Sequence, residues 1–450
     1  MFPAAFVKTL HSALPKEEVM ALLDVLKTPG PASIRVNTQK TDHKPVSAIS
    51  VPWSENGYYL PERPLFAADP AFHAGHYYVQ EAASMVVGSI IKSLLSTMPE
   101  QATILDLCAA PGGKSTHVAS VLRYGDMLVA NEVIGTRTPI LAENLCKWGA
   151  ANHIVTKADA SRFGNCDVRF NITVADVPCS GEGMFRKDPA AISEWSENNV
   201  KLCAERQRRI VTDIWPCIAL GGYLIYSTCT FNTAENEDNV NKLAADLGAK
   251  ILQPDFLGKE AFYCLQDGMY RALPHKTQGE GFFVAVMQKT GAGSKAKSHR
   301  KQRIKATSAT VAGLPPNIQV VETPQGLWGM HTPNPDAWQQ LLAELPGIYA
   351  AGTPIGQVFH GKWKPDTAVA LLQHGKFGEW PELFLKDAEV MAYLRREALP
   401  NPDRKEGLHR VVWNGVSMGF VNANRHQWNN LWPMEWRLRM QAGAPVSVLQ

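Results

Sequence analysis

The sequence predicts an α/β fold: a doubly wound, mostly parallel sheet, preceded by a small α/β domain and followed by one or two small α+β domains. Three observations lead there. The chain has 450 residues, several domains' worth at about 100–200 residues each. From Thr103 onward, short apolar segments alternate with helix-length stretches, the rhythm of a sheet whose strands are joined by crossover helices. At 45% hydrophobic and 19% charged residues, the chain can fill several packed cores and is not disordered.

Taken in order, Lys16 to Lys27 reads as a helix, ended by Pro29-Gly30-Pro31 because proline cannot continue it. A strand-like Ser33 to Thr38 and an aromatic segment from Trp53 to Tyr78 complete a first domain over residues 1–100. Strands are expected at Thr103–Leu107, Met127–Ala130, His153–Thr156, Asn171–Ala175 and Tyr223–Tyr226, with Phe282–Val286 closing the sheet, which gives a central domain over 101–290. The stretch from Lys289 to Lys305 holds seven Lys or Arg and no acid. It reads as a basic linker over 291–310, either simply solvated or touching phosphates, where clustered cations release counterions. Residues 311–450 hold eight of the twelve tryptophans. These are read first as aromatic cores of small domains, and alternatively, for Trp428 and Trp432, as platforms that stack on unpaired bases.

No run of 18 apolar residues occurs and the opening Met1 to Phe6 lacks a charged leader with a long apolar stretch, so a cytoplasmic protein without membrane contact is expected. The net charge of +3 by itself identifies no polyanionic partner. The eight cysteines are scattered, with no Cys-x-x-Cys pair and no Cys/His cluster at zinc spacing, so neither a disulfide framework nor a metal site is expected.

Chemistry concentrates at the strand ends. Cys108-Ala109-Ala110-Pro111-Gly112-Gly113-Lys114 follows the first central strand and opens a helix, where small residues let a ligand approach the backbone. A triphosphate-binding loop would need glycine at the position of Cys108, which argues against an NTPase. Glu132, Asp159 and Asp176 follow the second, third and fourth strands. Any one of them alone reads better as a helix N-cap or a solvated loop residue. Together they suit a nucleoside whose ribose hydroxyls need a carboxylate, with Asp159 within reach of ribose or adenine. S-adenosylmethionine fits, because carboxylates favour its sulfonium cation.

Two cysteines stand apart from the rest. Cys179 lies in Asp176-Val177-Pro178-Cys179-Ser180-Gly181 after the fourth strand, and Cys229 in Tyr226-Ser227-Thr228-Cys229-Thr230 after the fifth. Most cysteines are small buried hydrophobes, as expected for Cys146, Cys203 and Cys217. A thiol in a Pro/Ser/Gly/Thr-rich turn gains little from burial, and adjacent strands would bring both to the sheet's carboxyl edge. A thiolate beside a methyl donor makes sense if the acceptor is an unreactive carbon such as cytosine C5, which becomes nucleophilic once a thiolate adds at C6. One thiol would attack and the other assist release.

These segments resemble the Sun-type (NSUN) RNA cytosine-C5 methyltransferases. Further matching stretches are Arg35-Val36-Asn37-Thr38, Gly75 to Glu81 and Arg271 to Phe283, so the resemblance covers about residues 30 to 290. It implies a class I Rossmann-like methyltransferase domain. It also implies that Cys229 is the nucleophile, that Cys179 assists release, and that Cys108 to Lys114 with Glu132, Asp159 and Asp176 bind S-adenosylmethionine. Asp176 would in addition hydrogen-bond the cytosine ring. The tail segments Glu397-Ala398-Leu399, Gly407 to Phe420 and Asn430 to Arg439 look like the PUA-like RNA-binding modules of bacterial RsmF-type enzymes, although Gly419-Phe420-Val421-Asn422 replaces a Gly-Trp-Gly-Lys-like turn. The subgroup implies 16S ribosomal RNA or the small ribosomal subunit as partner, with a monomer as the default state.

A cytosine must be single-stranded or extruded to expose C6. Arg186, Lys187, Arg206, Arg208 and Arg209 are candidates to grip flanking phosphates, the last three reading equally well as the solvated basic face of an amphipathic helix, and His275 and Lys276 are candidates to line the RNA channel. The alternatives kept open are a transfer-RNA cytosine-C5 methyltransferase and a non-catalytic RNA-binding ribosome-assembly factor.

Overall fold

The structure, a computed structural model, describes residues 2–291, 318–323, 326–359, 362–373, 380–441 and 443–450. Apart from its first residue, the expected basic linker lies outside the described residues. The first sheet has four strands, β1 (Ala32–Val36), β2 (Ile49–Ser50), β3 (Gly57–Leu60) and β4 (Tyr77–Val79), in the order β2-β3-β1-β4. The helix expected from Lys16 is found as Lys16–Val25, and a second one, Ala4–Ala13, precedes it. Both are amphipathic: Phe6, Leu10, Val19 and Leu22 turn inward and pack on Phe185, Trp195, Phe231 and Leu273. The N-terminal helices are thereby fixed on the two cysteine-bearing loops.

The central sheet contains β5 (Thr103–Asp106), β6 (Met127–Asn131), β7 (His153–Thr156), β8 (Phe170–Asp176), β9 (Ile218–Thr228), β10 (Ala249–Leu252), β11 (Tyr263–Gln266), β12 (Met269–Ala272) and β13 (Phe282–Lys289). β5 pairs in parallel with β6 and β8, β6 with β7, and β8 with β9, whereas β13 runs antiparallel to β9. Residues of these strands are buried on both faces, as strands covered by helices on each side must be. The chain winds outward from β5 through β6 to β7, then returns to place β8 on the other side of β5. That reversal opens a crevice outside the carboxyl ends of β5 and β8, the place where open α/β sheets take their ligands.

Neither expected domain boundary is clean. Helix Val86–Ser96, on the N-terminal side of residue 100, buries Val86, Val87, Ile90 and Ile91 in the same core as Ile104, Val118 and Leu128. Two strands beyond the linker, β14 (Ile318–Thr323) and β15 (Gly326–His331), pair with each other, and then β16 (Ile348–Ala351) joins the outer edge of β7 antiparallel. The rest of the tail forms β17 (Thr353–Phe359), β18 (Lys362–Pro365) and a mixed five-stranded sheet spanning Glu382–Asn430. Its core holds Trp413, Trp428 and Trp432. Trp428 is 3% exposed and Trp432 fully buried, so the base-stacking alternative fails for both: neither ring offers a face to a ligand. At the end of the chain Leu449 bridges to Pro45 and Val446 N donates to Ala68 O, returning the tail to the first domain.

Candidate functional site

The site grows from the turn after β5. Gly112 has φ +116°, a conformation that side chains with a Cβ rarely adopt, and it precedes helix Gly113–Val121, whose first residues Gly113 and Lys114 line the crevice. Asn144 Nδ2 donates to Pro111 O at 2.7 Å and Arg137 to Ala110 O at 2.5 Å, so the turn is held from outside. Behind it Asp106 is fully buried, accepts from Ser115 Oγ at 2.6 Å through one oxygen, and leaves the other without a partner. Burial raises its carboxyl to about 7. The Lys114 ammonium is pulled down by burial, but Asp176 and Asp106 outweigh that and raise it, keeping the cation.

Asp176 ends β8 with both oxygens taken: Lys114 Nζ donates to Oδ2 and Ser227 Oγ to Oδ1, each at 2.8 Å. Because β8 and β9 are neighbours in register, with Asp176 opposite Ser227, the residues that follow them converge. Cys179 Sγ and Cys229 Sγ lie 3.0 Å apart, and the Cys229 N–H points at Cys179 Sγ at 3.4 Å. The hydrogen bond shared with Cys229, together with burial, holds the Cys179 thiol well above the usual range. Close approach of the loops needs Gly183, where a Cβ would stand 2.6 Å from Cys229 O and 2.8 Å from Gly281 O.

The glycine turn (all but Gly112), Asp176 and Cys229 line one cleft of about 750 Å³, with Tyr78, Gln80, Glu81 and Phe282 on its other walls. Gly112 lies in the turn itself, and Cys179 lies against Cys229 rather than among the lining residues. Glu132 is buried beyond β6, accepting from Ile134 N at 2.8 Å and facing Arg137 at 3.7 Å. Asp159 is more exposed. It caps the turn at Ala160–Asn165 through Ser161 and faces Arg209 at 3.4 Å, and these donors, Ser161 first, lower its pKa. Neither acid lines the cleft as it stands.

Of the cations expected to grip RNA, Arg186 and Lys187 line the cleft, and most of the set also have protein partners. Arg186 donates to Thr28 O, Pro29 O and Gly279 O, tying the Pro29-Gly30-Pro31 segment to the loop before β13, and Lys187 lies 3.7 Å from Glu280. His275 and Lys276 both bind Glu18 and anchor the second N-terminal helix rather than standing free. Arg208 is bonded to Asn239, and Arg209 pairs with Asp213 as well as Asp159. Tyr78, Gln80, Asp106 and Arg137 were not picked out as site residues from the sequence. Tyr78 and Gln80 belong to a matching motif, but nothing in their chemistry marks them until the first sheet folds over the crevice.

A sheet whose five central strands β5–β9 run parallel, with antiparallel strands added at both edges and a glycine turn and a strand-end acid beside its crevice, is the Rossmann-like methyltransferase fold. Solved structures agree on the fold. NSun6 from Pyrococcus horikoshii with SFG matches at 22% identity and TM-score 0.55 over 65% of this chain and 99% of that one. A methyltransferase homologue from the same organism matches at 23% and 0.51 over 64% and 99%. Residues 93–288 match the family described as 16S rRNA methyltransferase RsmB/F, and residues 2–82 match the N-terminal domain of 16S rRNA methyltransferase RsmF. Each of the two matches covers less than half of the chain. Ribosomal RNA small subunit methyltransferase F of Pectobacterium atrosepticum is 33% identical over 308 residues, which cover 64% of this chain and 63% of that protein. The matched stretch thus spans a little under two thirds of that relative's length. The protein of the same name from Shewanella piezotolerans is 27% identical over 470 aligned positions, 96% and 95% of the two chains.

Proposed function

We propose that this protein methylates C5 of a cytosine in RNA, with S-adenosylmethionine as methyl donor and 16S ribosomal RNA of the small subunit as substrate. It is read as a monomeric, cytoplasmic enzyme whose first domain positions substrate and whose C-terminal region, including PUA-like modules, binds RNA. The observation that carries the reading is the thiol pair, 3.0 Å apart beside a cleft that also holds the glycine turn and Asp176. RNA binding alone needs no such pair.

The residues present suit the donor. Gly112 and Gly113 leave its cradle free of side chains, and the Asp176 and Asp106 carboxyl groups lie close to Lys114. When bound, S-adenosylmethionine supplies an electrophilic methyl group. Residues Cys108 to Lys114, with Glu132, Asp159 and Asp176, would hold it. The Cys229 thiolate adds to cytosine C6, forming the S–C6 bond and moving electron density to C5. Asp176, held by Lys114 and Ser227, orients the ring through a hydrogen bond. After transfer, the C5 proton leaves, its electron pair restores the C5–C6 double bond, and the Cys229–C6 bond breaks with Cys179 assisting.

The test is to express Cys179→Ala and Cys229→Ala in cells, isolate each protein under denaturing conditions, and sequence any RNA still attached. Covalent small-subunit RNA on Cys179→Ala alone is expected. Adduct on Cys229→Ala alone would reverse the two roles, and no adduct on either would point to the assembly-factor reading or to a release path that does not need Cys179.

A further inference from the structure

Behind the thiols lies a buried polar cluster that the reaction does not use. Glu182 and Glu235 are both fully buried, and hydrogen-bond donors rather than cations surround them. Glu182 belongs to the loop that carries Cys179, yet its Oε2 accepts from the backbone N–H groups of Phe231 at 2.7 Å and Asn232 at 2.9 Å, just beyond Cys229. Glu235 belongs to the loop that carries Cys229, yet it accepts from Ser180 N at 3.0 Å and Ser180 Oγ at 2.5 Å, immediately beyond Cys179. Each cysteine's loop therefore supplies a carboxylate that grips the backbone next to the other cysteine.

The cross-grip is closed by shared donors. Asn232 Nδ2 reaches Glu235 Oε1 at 2.8 Å and Glu182 Oε1 at 3.0 Å. Gln207 Nε2 joins Glu235 to Pro178 O, on the other side of Cys179, and Trp195 Nε1 donates to Glu182 at 2.9 Å. Each carboxyl group thus accepts from four donors, which fills its lone-pair sites. A buried network satisfied this fully has one geometry, because any shift of either loop would orphan a buried acceptor.

We propose that Glu182 and Glu235 are positioning residues of the thiol pair, a reciprocal clamp that locks the two loops in register and holds Cys179 and Cys229 in sulfur contact. The inference rests on the reading that these thiols are the reacting groups, but its test needs neither RNA nor methyl transfer, so the two fail separately. Two thiols held together close to a disulfide when diamide takes up their two hydrogens. The rate of that closure measures how well they are pre-positioned, as an effective concentration.

With the full chain under diamide, formation of the 179–229 disulfide is followed by peptide mass spectrometry. Glu182→Gln and Glu235→Gln, which keep size but turn an acceptor into a donor, are expected to slow closure by roughly tenfold or more while the far-ultraviolet spectrum remains that of the folded protein. Closure within twofold of the parent rate in both variants would overturn the clamp. If a Gln variant does not fold, Ser180→Ala removes a single donor from Glu235 and is expected to slow closure by about threefold. An unchanged rate there counts equally against the proposal.

Discussion

Lys114 Nζ donates to Asp176 Oδ2 at 2.8 Å, joining the glycine turn after β5 to the acid that ends β8. The contact crosses the point where the winding of the sheet reverses, so it fixes the width of the crevice as well as the direction of the carboxylate. Replacing Lys114 with Met leaves Asp176 with Ser227 as its one side-chain donor and removes the cation that balances Asp106. The expected outcome is a fall in methyl transfer of about 10²-fold with folding retained, measured with tritiated S-adenosylmethionine on small-subunit RNA. Lys114→Arg should not restore it, since a planar fork does not reproduce a point contact. A variant as active as the parent would remove Lys114 from the site.

Glu132 and Asp159 are occupied by protein donors in ways that predict different consequences. Glu132 accepts from Ile134 N and faces Arg137, whose side chain is 46% exposed and also donates to Ala110 O; ribose hydroxyls would take the place of Arg137 as partners of the carboxylate. Glu132→Ala should weaken S-adenosylmethionine binding by about tenfold, the loss of one charge-assisted hydrogen bond. Asp159→Ala should weaken it comparably and in addition lose the cap on the following turn, about 1 kcal/mol of stability. Titration calorimetry with denaturant melts separates the two effects. Undiminished affinity in Asp159→Ala would confine that residue to capping.

How much of this could be read from the sequence depends on the range of the interaction. The parallel strands were legible because each is a short apolar run between helix-length segments, and the two thiols because a cysteine in a Pro/Ser/Gly-rich turn has little reason to be there for packing. β16 was not legible as part of the central sheet: its pairing partner β7 lies nearly 200 residues earlier, and no local pattern records such a partner. The same holds for the cations. His275 and Lys276 look free in sequence, yet their acceptor, Glu18, is supplied by an N-terminal helix. The cross-grip of Glu182 and Glu235 was hidden for a similar reason, since each carboxylate serves the other residue's loop.

The tryptophans of the tail are expected to matter for stability rather than for stacking. Trp432 is fully buried, donates through Nε1 to Trp436 O at 3.1 Å, and packs against Tyr393 and Lys147. Trp432→Ala should therefore cost about 3–5 kcal/mol, seen as an early transition of the C-terminal region on denaturation. RNA affinity of the folded variant at a temperature below that transition should stay within about threefold of the parent. Loss of RNA binding without loss of stability would return the ring to an interface role.

Acid sensitivity follows from the buried histidines. His153, at the start of β7, bonds Ala150 O through Nδ1 at 2.6 Å while its Nε2 is buried without a partner. Burial lowers its pKa from 6.5 to about 4. The unfolded chain therefore binds a proton below about pH 6.5 that the folded one refuses until about pH 4, so stability falls as pH drops through that window and is fully present above it. At pH 5 the loss from this residue alone is about 2 kcal/mol, and His73, lowered to about 4 chiefly by burial, acts in the same direction. Urea unfolding at pH 7.5 and pH 5.0 should show the parent losing stability on acidification and His153→Gln losing about 2 kcal/mol less. An equal loss in both proteins would mean that His153 takes up its proton without unfolding.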